Sequence, residues 1–227
     1  LMDEAHFDEI FYEKVSNIKL KVGSFKAFIV VDAIPKFSCA PKGLEELVSG
    51  CQIRIGPTLD YLDNAWSKHI MGEMPDKPVI WGLIPTLRDP SLAPKGYHFL
   101  SLNIWNVPYR LRRGDWEAGK DIFGQRCIDT MARYIPNLKD IIVDKVFLSP
   151  LDMEKQYNLL EGDPHCGAMG PEQMFGNRLL PSISKYKTQF TGLYLSGAGT
   201  WPGGFISGLS GHNAAKKVIN DLTYGTQ

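Results

Sequence analysis

A glycine-rich stretch near the C-terminus constrains the fold more than any other part of the chain. Seven glycines lie between Gly192 and Gly211, and a short apolar run from Leu193 to Leu195 predicts a buried strand just before most of them. Apolar residues then recur at helical spacing, opposite a polar face: Ala214, Ala215, Val218, Ile219 and Leu222 against Lys216, Lys217, Asn220 and Asp221. A strand, a glycine loop and a helix N-terminus in this order present free N–H groups and a helix dipole to an electron-rich ligand.

The spacing of these glycines leaves two interpretations open. The dinucleotide fingerprint requires a third glycine where this chain has Pro202, which has no N–H to offer. The phosphate-binding P-loop is excluded because no Gly-Lys-Ser/Thr closes the stretch. From spacing alone, the stretch is either a ligand-binding loop or a packing loop in which glycines let a strand and a helix touch.

Two segments of this stretch resemble a known flavin motif. Residues 197–204, Gly-Ala-Gly-Thr-Trp-Pro-Gly-Gly, and 208–215, Gly-Leu-Ser-Gly-His-Asn-Ala-Ala, resemble the C-terminal flavin motif of phytoene-desaturase-like FAD oxidoreductases. The resemblance is greatest to the branch of pyridine nucleotide-disulfide oxidoreductase domain-containing proteins. It implies that the strand and loop close over FAD and that the last helix returns to a nucleotide-binding domain. The cofactor-binding residues that it implies are Gly197, Ala198, Gly199, Thr200, Trp201, Gly203, Gly204, Gly208, His212 and Asn213.

The chain departs from this family at two loop positions. Relatives usually carry histidine where this chain has Trp201, and a third glycine where it has Phe205. An indole cannot take up a proton near neutral pH, and a phenyl ring narrows the approach to the flavin. Arg178 corresponds to a family arginine near the active centre, although an arginine considered alone is expected to be exposed.

The resemblance also sets expectations for assembly. Nothing in the sequence resembles the family's N-terminal Gly-x-Gly-x-x-Gly segment, so the chain is expected to be the C-terminal part of a flavoenzyme. Alone it should be inactive and bind FAD weakly or not at all. The expected partners are a nucleotide-binding half on a separate chain or further copies in a homo-oligomer, and the expected substrate is a hydrophobic small molecule.

The periodicity along the chain predicts an α+β fold. Strands are predicted at 25–34, 52–55, 78–85, 97–105 and 141–148. Helices are predicted at 8–15, after the N-cap Thr58, at 116–134, and from Ser149-Pro150. We expect a mixed, largely antiparallel substrate-domain sheet over residues 1–185. Residues 186–227 are expected to supply the last strand and helix of an FAD-binding domain.

Composition excludes several classes of protein. Lysine plus arginine equals aspartate plus glutamate at 25 each, so no overall charge recruits nucleic acid, and Arg110, Arg112 and Arg113 are interpreted as a solvated turn. The four scattered cysteines form no Cys-x-x-Cys pair, which argues against a metal site and favours a reducing, cytoplasmic location. No apolar run approaches the roughly 20 residues of a membrane span.

No catalytic acid or base can be named from the sequence. His165 and Cys166 would be a reactive pair if their side chains met, but adjacent residues seldom face each other and no third group orients them. His212 either bonds to the flavin or the loop, or forms a helix-capping pair with Asn213. A non-catalytic binding or scaffold protein derived from the family stays open as an alternative function, as does a free-standing nucleotide-binding protein.

Overall fold

The computed structural model describes residues 6–20, 23–178, 180–203 and 206–225. Gly204 and Phe205 of the predicted flavin loop lie outside these described residues. The chain divides into two compact units: the sheet unit, residues 23–162, and the loop unit, the described residues of 1–22 and 163–227. The predicted domain boundary between residues 185 and 186 stays a prediction.

The described residues form five strands and seven α-helices, which confirms the predicted α+β class. In chain order the elements are α1 (Glu9–Ser16), β1 (Phe25–Val31), α2 (Glu45–Ser49), β2 (Ile53–Ile55), α3 (Leu59–Ile70), β3 (Val79–Leu83), β4 (His98–Trp105), α4 (Trp116–Ala132), α5 (Leu138–Ile141), β5 (Ile142–Leu148), α6 (Pro150–Tyr157) and α7 (Leu209–Tyr224). None of the helices in the described part of the chain has both the length and the apolarity needed to cross a bilayer.

The sheet unit is built on one sheet with the strand order β2-β3-β4-β1-β5. Every adjacent pair is antiparallel, with Phe25 of β1 opposite Ile104 of β4 and Ala27 of β1 opposite Phe147 of β5. The largely antiparallel sheet predicted from the sequence is therefore confirmed. Strand β1 occupies the interior of the sheet although it comes first in the chain, because it pairs with β4 on one side and with β5 on the other.

Helix α4 covers one face of this sheet and forms the core with it. The Phe25 ring lies 5.0 Å from the Phe123 ring, edge to face, and 5.8 Å from the Trp116 ring, measured between centroids. Gly124 permits the close approach of helix and strand, because a Cβ there would lie 2.3 Å from the Phe147 ring. Each large side chain buried in such a core contributes about 1.5–3 kcal/mol, so this aromatic cluster is a major source of stability.

Helical spacing after Thr58 predicts an apolar stripe along α3, formed by Leu59, Leu62, Ala65, Trp66 and Ile70, and this prediction is wrong in part. Ala65 is fully buried, but Leu59 is 78% exposed and Ile70 is 58% exposed. Tyr61 packs against the core instead, and its hydroxyl donates a 2.8 Å hydrogen bond to the carbonyl of Pro78. The helix start was predicted correctly, since the Thr58 hydroxyl accepts from the backbone N–H of Tyr61.

Candidate functional site

The apolar run before the glycine loop does not form the predicted buried strand. Its only ladder contact among the described residues is a single antiparallel bridge between Lys187 and Tyr194. Leu193 is 39% exposed and Leu195 is 37% exposed. A buried strand needs partners along both edges, and the described residues supply one bridge on one edge, so the prediction of a buried strand is wrong for this structure.

The glycine loop, residues 197–203, turns through backbone conformations that favour glycine. Gly197 has φ of 90° and Gly203 has φ of 81°, and Gly208 beyond the loop has φ of 73°. The N–H and the hydroxyl of Thr200 both donate to the carbonyl of Gly197 at 3.1 Å, which closes a turn within the loop. Thr200 is buried by this arrangement.

Arg178 fastens the glycine loop to the segment that begins at Asp163. Its side chain is fully buried, so the expectation of an exposed arginine is wrong. Nη2 donates to the carbonyls of His165 at 2.7 Å and Ala198 at 3.0 Å. Nη1 donates to the carbonyls of Gly167 and Ala168 at 3.2 Å each. A single guanidinium therefore joins two loops that are about 30 residues apart in sequence, through a fixed fork of donors.

The third nitrogen of this guanidinium faces Gly203. A Cβ at Gly203 would lie 2.7 Å from Nε of Arg178. Nε itself is buried and has no hydrogen-bond partner among the described residues. Burial lowers the pKa of Arg178, and the carboxylate of Asp163 opposes that shift. Asp163 is itself 1% exposed and accepts from the backbone N–H groups of His165 and Gly167.

Tyr186 connects the glycine loop to helix α7. Its hydroxyl donates to the carbonyl of Trp201 at 2.8 Å and accepts from the side-chain amide of Asn213 at 2.9 Å. The hydroxyl of Ser210 donates to the same Trp201 carbonyl at 3.1 Å. Ser210 of α7 and Tyr186 thus donate to one carbonyl, and Asn213 of α7 holds the tyrosine, which fixes the loop against the first turns of the helix.

Helix α7 begins without a side-chain cap at its N-cap residue, although the Ser207 hydroxyl accepts from the N–H of Leu209 at 3.3 Å. Its N-cap is Gly208, which has no side chain to accept a bond from the first turn. The capping interpretation of His212 and Asn213 is therefore wrong, because both lie inside the helix and Asn213 donates to Tyr186. His212 is the fourth residue of the helix, and its side chain is exposed.

The predicted apolar face of α7 is only partly exposed, since Ala214 on that face is 6% exposed. Ile219 is 60% exposed and Leu222 is 82% exposed, whereas Asp221 is 8% exposed. Asp221 accepts from the ammonium of Lys217 at 2.7 Å and from the hydroxyl of Tyr194 at 2.8 Å, and these bonds lower its pKa. The helix is amphipathic as predicted, but the side that packs on the unit contains Ala214 and Asp221, whereas the polar residues Lys216 and Asn220 are exposed.

A cavity of about 560 Å³ lies beside Trp201 within the loop unit. Its aromatic wall contains Phe175 and Trp201, whose ring centroids are 4.9 Å apart. Lys216 and Lys217 of α7 line the opposite side. The cavity therefore combines stacking surface with positive charge, which suits a flat, electron-rich group.

His165 and Cys166 show no sign of an activated thiolate. Partial burial raises the pKa of the Cys166 thiol, and the Asp163 carboxylate raises it further. A nucleophilic cysteine needs the opposite shift. No group of three or more His, Cys, Asp or Glu side chains in the described part of the chain is placed to hold a metal ion.

The geometry of the loop fits a flavin in two respects. Added Cβ atoms at Gly197 and Gly208 would meet no other atom within 4 Å, so the backbone is open to close approach at both positions. The N-cap residue of the 16-residue helix α7 has no side chain, and the Ser207 hydroxyl accepts from the N–H of Leu209. The N–H groups of Ser210 and Gly211, for which the described residues supply no acceptor, and the helix dipole are therefore open to a negatively polarised group. Gly203 differs, because Arg178 fills the space beside it.

Comparison with known proteins assigns the family. No family model matches the chain. The mouse protein named pyridine nucleotide-disulfide oxidoreductase domain-containing protein 2 is 33% identical over 218 residues, which is 93% of this chain and 38% of the mouse protein. The chain belongs to the phytoene-desaturase-like family of FAD-dependent oxidoreductases. It spans less than two fifths of the length of this relative.

Two bacterial members of the phytoene-desaturase-like family match shorter parts of the chain. A limonene dehydrogenase component of Castellaniella defragrans is 34% identical over 118 residues, covering 51% of this chain and 22% of that protein. The 4,4'-diapophytoene desaturase of Staphylococcus haemolyticus is 28% identical over 164 residues, covering 68% of this chain and 31% of that protein. The family resemblance drawn from the glycine loop is thus confirmed well beyond that loop.

The structure joins three of the ten predicted cofactor residues through supports that sequence reasoning missed. Ala198, Trp201 and Asn213 are joined through Arg178 and Tyr186, and neither of these two was predicted to bind the loop. Their partners are backbone carbonyls from distant segments, and such acceptors leave no signature in sequence. The family match of Arg178 was the only signal that could have identified it.

Proposed function

We propose that the chain is the C-terminal, flavin-covering part of an FAD-dependent oxidoreductase that acts on a hydrophobic substrate. The proposal rests most on one observation: an open glycine loop leads into a helix N-terminus that lacks a side-chain cap. That arrangement occurs in a chain of the phytoene-desaturase-like family, whose named relatives include a desaturase and a dehydrogenase.

Specific residues would hold the cofactor. Gly197 and Gly208 leave room for the flavin beside the backbone, and the first turn of α7 offers N–H groups to its polar side. Arg178 and Tyr186 hold the loop in shape. Bound FAD supplies a two-electron acceptor for hydride, and the protein supplies binding and orientation.

Trp201 restricts the chemistry that this loop can perform. An indole N–H donates a hydrogen bond but does not titrate near neutral pH, so Trp201 cannot transfer a proton. Proton transfer, where the reaction requires it, must then come from water, the substrate or another side chain. The loop contributes the shape and polarity of its binding surface.

The exposed apolar side chains of α7 indicate a surface that binds a partner. Leu209, Ile219 and Leu222 are each at least half exposed on this helix. A contiguous apolar helix face left open to water usually marks an interaction surface. We infer that it packs on a nucleotide-binding half, either on another chain or elsewhere in the same polypeptide.

The first prediction tests cofactor binding. The 227-residue chain purified alone is expected to be colourless, because it contains no Gly-x-Gly-x-x-Gly segment to hold the adenosine half of FAD. Produced together with a Gly-x-Gly-x-x-Gly nucleotide-binding half of the same family, it should yield a yellow complex. The visible spectrum and the FAD content per chain measure both states. A stoichiometric flavin in the single chain would contradict the division into halves, and a colourless complex would favour the scaffold alternative.

The second prediction concerns Trp201. In the flavin-loaded complex, Trp201→His is expected to change the flavin fluorescence or reduction potential while leaving the thermal midpoint within about 2–4 °C of the parent. The indole is only partly buried, so the loss of packing is small. The control is Trp66→His, a 41% exposed residue of the sheet unit, which should leave the flavin unaltered. A large loss of stability with an unaltered flavin would show that Trp201 is a packing residue.

The third prediction concerns the apolar side of α7. The chain alone is expected to self-associate, and Ile219→Gln with Leu222→Gln should shift it towards the monomer in light scattering across a wide concentration range. Both side chains are exposed, so the unfolding free energy should change by about 0.5 kcal/mol or less. The matched control is Ile122→Gln, a 60% exposed apolar residue of α4. A parent chain that is monomeric at all concentrations and captures no nucleotide-binding half would contradict the inference.

A further inference from the structure

The second face of the sheet in the sheet unit is rich in aromatic residues and is not part of the core. Along β1 the residues Phe25, Ala27, Ile29 and Val31 are buried, and those between them are partly exposed. On this second face Lys26 lies opposite Asn103, Phe28 opposite Ser101, and Asn103 opposite Trp81. We call this surface the open sheet face, defined by Lys26, Phe28, Trp81, Phe99, Ser101, Asn103 and Trp105.

The rings of the open sheet face form two groups. The Trp81 and Trp105 rings are 5.6 Å apart between centroids, and the Phe28 and Phe99 rings are 6.4 Å apart. All four side chains are partly exposed. They offer two apolar patches, with Lys26, Ser101 and Asn103 between them, to a molecule lying on the sheet.

Two cationic groups lie on these rings: the guanidinium of Arg54, 4.2 Å from the centre of the Trp81 ring, and the ammonium of Lys26. Nζ of Lys26 donates to the hydroxyl of Ser101 at 2.8 Å and to the amide oxygen of Asn103 at 3.0 Å, and it lies 4.9 Å from the centre of the Phe28 ring. Within the described ranges no carboxylate oxygen lies within 4.0 Å of it. Burial lowers the pKa of Lys26. The ammonium is half desolvated, and its two protein partners are neutral.

We propose that the open sheet face binds an apolar molecule carrying one acidic group, with that group paired to Lys26. The ammonium has three N–H donors, and the two partners of Lys26 in the described residues use two of them. A carboxylate would accept the third donor and supply the missing counter-charge, and such charge-assisted bonds are about twice as strong as neutral ones. The aromatic side chains would contact the apolar body of the same molecule.

The charge of this site selects against other ligands. A cationic headgroup would be repelled by Lys26, and a small inorganic anion would leave the rings uncovered. A neutral hydrocarbon would cover the rings but leave the ammonium without its counter-charge. An acid with an apolar chain satisfies both parts of the surface.

This inference deepens the proposed function. Only the statement that the bound acid is the substrate of the enzyme rests on the proposed function. Binding to the open sheet face needs no flavin. A test on the 227-residue chain alone can therefore fail while the flavin experiment succeeds, or the reverse.

The test compares dodecanoate with dodecanol, two probes of equal chain length that differ in charge. Each is titrated into the chain below its micelle-forming or solubility limit, by calorimetry and by the fluorescence of the tryptophans. The parent is expected to bind the acid at least tenfold more tightly than the alcohol. Lys26→Met keeps the apolar stem and removes the charge, so it should abolish this preference by weakening the binding of dodecanoate alone.

A second lysine of the same sheet provides the matched control. Lys145 of β5 is exposed, and Lys145→Met should leave the affinities for both probes unchanged. Equal affinity of the parent for acid and alcohol would overturn the proposal, and so would an unaltered preference in Lys26→Met. If Lys26→Met does not fold, the acid-over-alcohol preference of the parent and its loss in Lys26→Gln decide the question.

Discussion

Replacing Arg178 with methionine is expected to destabilise the loop unit by about 3–5 kcal/mol. The methionine side chain has nearly the length of the buried stem but donates no hydrogen bond. Four carbonyls, those of His165, Gly167, Ala168 and Ala198, would lose the guanidinium donor together, and the Ala168 carbonyl would keep its bond from the side-chain amide of Gln173. Buried acceptors left without a partner cost about 1–3 kcal/mol each before the structure relaxes.

The charge of Asp163 adds to this loss. Asp163 is almost fully buried, and Arg178 is a cation near it. Without the guanidinium, the carboxylate keeps its two backbone N–H donors but loses the positive charge. Arg178→Lys restores the charge but not the planar fork of donors, so it should recover only part of the stability.

Hydrogen exchange of peptides from residues 163–203, at increasing urea, measures this effect locally and separately from the sheet unit. Arg113→Met is the control, because Arg113 is exposed in a turn of the sheet unit and its replacement should change stability by about 0.5 kcal/mol or less. A change at Arg178 of less than about 1 kcal/mol would show that the guanidinium is not what fastens the two loops. The same variant in the flavin-loaded complex is expected to bind FAD more weakly.

The elements of the sheet unit could be predicted from the sequence because their signals are local. The alternation in β1, the hydroxyl of Thr58 and the Ser149-Pro150 pair each determine a structure within a few residues. The interior position of β1 could not be predicted, since strand order depends on which distant segments pair. Local patterns contain no information about such pairing.

The site was less predictable than the fold for a physical reason. Periodicity identified α7 as amphipathic, but it does not say which face the rest of the molecule covers, and here Asp221 rather than Leu222 is buried. The burial of Arg178 was also missed. Its charge is stabilised by backbone carbonyls, which every residue has, so composition and spacing cannot reveal it.

Gly203→Ala is expected to destabilise the loop unit by about 2–4 kcal/mol, and Gly197→Ala by only about 1 kcal/mol. Both glycines have positive φ, 81° and 90°, so the backbone cost of a Cβ is similar at the two positions. Their surroundings differ. A Cβ at Gly197 meets nothing within 4 Å, whereas one at Gly203 would lie 2.7 Å from Nε and 3.2 Å from Cζ of the buried guanidinium.

Comparing Gly203→Ala with Gly197→Ala separates backbone strain from contact with Arg178. A double variant at positions 178 and 203 then measures the contribution of that contact. In the Arg178→Met background, the flexible thioether can move aside, so the penalty of Gly203→Ala should fall to that of Gly197→Ala. The expected coupling between positions 178 and 203 is therefore about 1–3 kcal/mol, measured by hydrogen exchange of the same peptides. Equal losses at Gly197 and Gly203 in the parent would contradict this account. They would show that Gly203 serves the turn alone and that Arg178 has room to move away from it.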